Sequence, residues 1–91
     1  MTMTPRPIMT RQEAEDLAEK LAAATGNECF ATSDAVNGLQ IAFQDEVDED
    51  HYWAVPLTKS FWSQATPPRG VDEWAESIDE MLSAGDLGAA Q

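Results

Sequence analysis

The apolar residues of this chain change their spacing twice, and few folds can follow both changes. Ala14, Leu17, Ala18, Leu21 and Ala22 recur at i, i+3, i+4, i+7 and i+8, the repeat of one helical face. Farther on, Leu39, Ile41 and Phe43 alternate with Gln40, Ala42 and Gln44, and His51, Trp53, Val55 and Leu57 alternate with Tyr52, Ala54, Pro56 and Thr58. A period of two puts successive side chains on opposite faces of a strand. Val71, Trp74, Ala75, Ile78, Met81 and Leu82 then return to the helical spacing,.

Punctuation fixes the boundaries. Thr10 followed three residues later by Glu13 forms a capping-box pattern, so the first helix is predicted over Arg11 to Thr25, with Gly26 as its left-handed stop,. The stretch ECFATS has the composition of a strand, and Asn37-Gly38 is a hairpin signal,. With a strict two-residue turn, Asp34 would lie opposite Ile41 and share the buried face of Phe30 and Val36. A bulge or a longer loop through residues 33 to 38 is therefore expected. Pro56 cannot donate to a ladder, which suits an edge strand or a strand end. Residues 59 to 70, KSFWSQATPPRG, have no period and read as a long loop,. The second helix starts near Val71 and stops at Gly85,.

The fold class expected is α+β, α-β-β-β-α, with a three-stranded antiparallel meander and two helices packed on one face. Residues 1–9, with Pro5 and Pro7, are expected to be a flexible lead, residues 10–85 a single domain, and residues 86–91 a frayed tail,.

A chain of 91 residues has room for one domain, and one of this size buries only about 60 to 65% of its unfolded surface. Its apolar share of 43%, with three Trp, three Phe and one Tyr, suits a folded core and not a disordered acidic tail,. A single cysteine, Cys29, makes no internal disulfide,. No apolar run reaches the roughly 18 to 20 residues of a membrane span, and MTMTPRPIM lacks the apolar centre of a signal peptide,. A cytoplasmic location is expected.

The charge is lopsided, with 17 Asp plus Glu against 5 Lys plus Arg and a formal net charge of -12. Such a field repels nucleic acid and anionic membranes and attracts basic surfaces. Much of it sits in two places. In DEVDED, residues 45–50, five of six positions are acidic: Asp45, Glu46, Asp48, Glu49 and Asp50. The second helix carries Asp72, Glu73, Glu76, Asp79 and Glu80 and no Lys or Arg between Val71 and Gly85. Like charges three or four residues apart cost about 0.2 to 0.5 kcal/mol per pair, so this helix tolerates roughly 1 to 2 kcal/mol of self-repulsion. A face needed only for solubility could interleave lysines and avoid that cost.

Other chemistry finds little support. An EF-hand loop counted from Asp45 needs Gly and Glu where Asp50 and Pro56 stand,. Zinc needs several nitrogen or sulfur ligands, and the chain has one His51 and one Cys29,. A Cys29–His51 nucleophile pair is conceivable if the two strand starts are neighbours, but a buried thiol beside a half-exposed imidazole is the simpler reading. The five glycines are scattered and form no phosphate loop,. No catalytic residue, metal or cofactor is expected, and the chain is read as not an enzyme. Trp53 and Trp74 fall on core faces. Phe61 and Trp62 are adjacent, so both cannot point inward on a strand, and an exposed aromatic near acids suits a binding hot spot,.

In its size, its DEVDED tip and its acid-only helix DEWAESIDE, the chain resembles small phage-encoded inhibitors of host defence, including anti-CRISPR proteins and other DNA mimics. That resemblance implies a non-enzymatic inhibitor of a basic nucleic-acid-binding partner, a CRISPR effector or a nuclease, working by occluding or mimicking nucleic acid. The physical reason is compatible: carboxylates one helical turn apart repeat at about 5 to 6 Å, close to the phosphate interval of an extended strand. The residues expected to meet the partner are Asp45, Glu46, Asp48, Glu49, Asp50, Phe61, Trp62, Asp72, Glu73, Glu76, Asp79 and Glu80. The partner is a basic protein surface, with neither nucleic acid nor membrane bound directly, and the protein a monomer or homodimer. An immunity protein or antitoxin neutralising a basic toxin would show the same charge. A structural adaptor subunit, paired through its edge strand, is a third possibility.

Overall fold

The computed structural model describes residues 5–89. Its order is helix α1 (Arg11–Thr25), strands β1 (Cys29–Asp34), β2 (Gly38–Gln44) and β3 (Tyr52–Pro56), helix α2 (Val71–Ala84) and a short strand β4 (Gly88–Ala89). All neighbouring strands pair antiparallel, in the order β1-β2-β3-β4. The α-β-β-β-α arrangement is present, and the meander gains a fourth strand.

Local chemistry sets the helix ends where the sequence places them. The Thr10 hydroxyl accepts from the Glu13 backbone N–H while the Glu13 carboxylate accepts from Thr10 N–H, both at 3.1 Å, so two orphan donors of α1 are satisfied. Gly26 and Gly85 close the helices in the left-handed region at φ 78° and 75°, where a Cβ would be strained.

The inner face of the sheet is built by register. Cys29, Phe43 and Trp53 lie side by side, as do Ala31, Ile41 and Val55. These meet Ala14, Leu17, Ala18 and Leu21 of α1 and Trp74, Ile78 and Met81 of α2 in one apolar cluster. Ile41, Val55 and Leu57 have no exposed surface, and each such side chain is worth about 1.5 to 3 kcal/mol relative to full exposure. One pleat repeat thus faces both helices.

The first hairpin takes the longer of the expected turns. Asp34 pairs with Gly38 across the loop Ala35–Asn37, and the Asp34 carboxylate accepts from Val36 N–H at 2.8 Å and Asn37 N–H at 2.6 Å. This register puts Phe30 opposite Ala42, on the outer face, so Phe30 and Val36 are exposed at 45% and 76% instead of sharing the core. The outer face is also drier than alternation implies. Ala42 is 1% exposed and Gln40 9%, because Ala42 lies between Phe30 and Ala54 and the rings of Phe30 and Tyr52 pack at 5.5 Å.

Both ends of the domain are tied down where the sequence suggested looseness. Ile8 N–H donates to Leu57 C=O at 2.9 Å and Lys59 N–H to Arg6 C=O at 2.8 Å, and Pro7 bridges to Thr58. Thus Arg6, Pro7 and Ile8 run antiparallel against residues 57–59, just beyond the end of β3; residues 1–4 of the expected lead lie outside the described residues. At the other end Leu87 is 6% exposed in the core, and Gly88 and Ala89 pair with Ala54 and Trp53. Leu87 is therefore a core residue and Gly88 and Ala89 a short edge strand, not the expected frayed tail; residues 90–91 lie outside the described residues.

Candidate acidic interface

The DEVDED run forms the loop between β2 and β3, and its acids divide into two jobs. Asp45 accepts from Val47 N–H at 2.7 Å and Asp48 N–H at 3.0 Å through Oδ1, and from Trp53 Nε1–H at 2.9 Å through Oδ2. Asp48 accepts from Asp50 N–H at 3.0 Å. His51 closes the base, accepting from Asp45 N–H and donating to Asp48 C=O, and its ring meets Trp53 edge-on at 4.5 Å. Asp45 and Asp48 are thus turn-forming side chains, the habit that makes Asp common in such loops. The donated hydrogen bonds, first among them that of Asp48 N–H, hold the Asp45 carboxyl below its usual 3.8,. Glu46, Glu49 and Asp50 carry exposed side chains outward. Of the five tip acids expected to meet a partner, Asp45 and Asp48 have oxygens committed within the loop.

On α2, Asp72, Glu73, Glu76, Asp79 and Glu80 are all exposed, opposite the buried Trp74, Ile78 and Met81. Glu73 accepts from Arg69 N–H at 2.6 Å, which ties the first turn of α2 to the residue before its N-cap, Gly70, a residue with no side chain to cap the helix,. Among the described residues one ion pair forms, Arg11 with Glu15 at 3.3 Å. None of the five α2 carboxylates has a cationic side chain within ion-pairing distance among the described residues.

Tip and helix are brought together. Glu46, Glu76 and Asp79 line one groove of about 350 Å³ with Phe43, Ala75, Ile78 and Leu82 at its floor. A second of about 300 Å³ adjoins it and shares Phe43, Glu46, Asp79 and Leu82, adding Asp45, Val47, Trp53 and Ser83. Glu73, Glu76 and Glu80 look the other way, onto a cavity of about 450 Å³ under Thr66, Pro67, Pro68 and Arg69. Glu76 belongs to both sides. Asp72 lines neither.

The loop aromatics part company. Trp62 is 9% exposed; its Nε1–H donates to Pro56 C=O at 2.9 Å and its ring meets Trp74 edge-on at 5.4 Å. Trp62 is therefore a core residue, with its one donor satisfied internally, and is withdrawn from the partner-contacting set. Phe61, 39% exposed, leans on Trp62 at 5.2 Å but lines none of these grooves.

Cys29 and His51 do not form a hydrogen-bonded pair. The Cys29 thiol donates to Asn27 C=O at 3.6 Å, and burial, with the nearby Glu28 carboxylate, pushes it up to about 11, so it is protonated at neutral pH. Among the described residues no three His, Cys, Asp or Glu side chains are placed to hold a metal ion. Among the described residues no helix is long and apolar enough to cross a membrane. The free edge of β1 is partly occupied, since the Arg11 guanidinium donates to Ala31 C=O at 3.3 Å and Ser33 Oγ at 3.2 Å, which blunts it toward strand pairing.

The feature that sequence reasoning missed is the apolar floor beneath the carboxylates. Leu82 and Phe43 look like ordinary core positions, and only the chain's folding over puts Val47, 93% exposed, at their rim. No family model, curated protein or solved structure matches the chain.

Proposed function

We propose that the protein is a non-enzymatic acidic binding protein that inhibits a basic nucleic-acid-binding protein, a CRISPR effector or a nuclease, by occupying its nucleic-acid groove. One observation carries the reading: Glu46 of the hairpin tip converges with Glu76 and Asp79 of α2 on one groove, and among the described residues no cation pairs with them. Unpaired like charges held together cost stability, and a cationic receptor recovers that cost by replacing repulsion with attraction. Electrostatic steering by a net charge of -12 raises the capture rate of such a receptor,.

The test is displacement. Lysate of the cell from which the protein comes is passed over immobilised DNA, and the pure protein is then applied at low ionic strength. The expected outcome is release of a basic DNA- or RNA-binding protein, with no release by the triple variant E76K/D79K/E80K. Equal release by both would overturn the assignment of the α2 face.

A second reading is favoured by the exposed Val47 and by the apolar floor. An immunity protein or antitoxin grips a folded toxin through such apolar contacts as well as charge. Release of a nuclease toxin, inactivated at its cleft, would select it.

A further inference from the structure

The groove between the hairpin tip and α2 is more than a row of charges. Its rim is acidic, from Glu46 and Asp79, its floor is apolar, from Phe43 and Leu82, and Val47 stands beside it almost fully in water. Phosphate mimicry needs only the rim. An apolar floor under it adds nothing to attraction for lysine or arginine heads, and it gives an apolar side chain somewhere to go.

Resting on the acidic-inhibitor reading above, we infer that this groove receives a basic amphipathic helix of the partner protein, an apolar side chain entering over Leu82 while flanking lysines or arginines meet Glu46 and Asp79. Three observations choose this occupant. A second copy of the chain would set Glu46 and Asp79 against like charges, which is repulsive, and nucleic acid or an acidic peptide would be repelled in the same way. A partner strand finds no ladder, because the N–H groups of Asp45, Val47, Asp48, Asp50 and His51 are already donated within the tip. Recognition then falls to side chains, and alternating cationic and apolar groups on adjoining faces are what a helix laid in a groove presents. Long cationic side chains also suit the site, since their methylene stems can cover apolar surface while their heads reach the carboxylates.

The probe is a synthetic peptide of about 18 residues, about five helical turns, with leucines on one face and lysines and arginines on the rest. Its control is an isomer of the same composition with the leucines spread round the helix. Affinity is measured by calorimetry at low ionic strength, and the contact is mapped from backbone and indole N–H resonances. The amphipathic peptide is expected to bind at least about tenfold tighter than its isomer, shifting Val47, Leu82 and the Trp53 indole. Val47→Ser, at a position too exposed to matter for folding, is expected to narrow that ratio, and E46Q/D79N to weaken both peptides. Equal affinity of the two isomers, with shifts spread over Glu73 and Glu80, would overturn the groove and leave the charge-based reading standing. Binding of neither isomer to the wild-type protein would overturn both.

Discussion

At the residue scale, the acidic tip serves two masters. Asp45 is an acceptor for two backbone N–H groups and an indole before it is a negative charge. Because the fold favours its ionised form, its folded pKa lies below the ordinary value of 3.8. Stability from this group is therefore present above that value and is lost as pH falls through the folded one. Asp45→Ala is expected to lower the melting temperature by a constant amount from neutral pH down to about pH 5, with the gap to wild type closing below about pH 4. Asp34, shifted in the same direction by its bonds from Asn37, is common to both proteins and cancels in the difference. Thermal denaturation across pH reads this directly, and a gap unchanged at pH values well below 4 would show that Asp45 acts through something other than its charge. Turn-forming aspartates can be read from sequence, since Asp followed two residues later by a free N–H is Asx-turn chemistry. A dense acidic run hides that signal by suggesting that all its members do the same thing.

At the element scale, the helices were legible because caps and spacing agree. Thr10 and Glu13, then the left-handed Gly26, bound α1 at Arg11–Thr25, and Gly85 closes α2 after Ala84. The strands were legible in place but less so in facing. A hairpin loop of three residues instead of two shifts the register and sends Phe30 outward, and nothing in ECFATS fixes that choice in advance. Trp62 was ambiguous for a different reason: a loop without periodicity gives no face, and the acceptor that draws its indole inward, Pro56 C=O, is six residues back. The α2 face itself makes an energetic prediction. Glu80→Lys turns the Glu76–Glu80 repulsion into a pair in the favourable orientation and places a cation near the negative end of the helix dipole. The variant is expected to be more stable than wild type by about 0.5 to 1 kcal/mol, about 2 to 8 °C in melting temperature for a domain of this size. A variant no steadier than wild type would mean that the acidic face imposes no cost, and that its composition needs no partner to explain it.

At the scale of the whole molecule, one face of the sheet is closed by two helices, and the sheet is lengthened at its margins by residues without periodic pattern. Ile8 and Arg6 hydrogen-bond to the chain beyond β3, and Leu87 fills the core from a segment that follows the last helix. Short flanking segments carry too few residues to show a period, so their docking is decided by what the finished core leaves open. The meeting of the hairpin tip with α2 was equally invisible, because the two acidic runs are separated by more than twenty positions and local spacing says nothing about which side each will occupy. That meeting makes the charge consequential: Glu46, Glu76 and Asp79 share a groove without a counter-ion among the described residues. Under the proposed function these groups await a cationic macromolecule. The most direct measurement is capture by the immobilised protein from its native lysate over a series of salt concentrations, with retained proteins identified by mass spectrometry. Basic nucleic-acid-binding proteins are expected to be retained at low salt, released steeply as salt rises and eluted by added DNA or RNA. Retention of no basic protein at any ionic strength would contradict the proposed function.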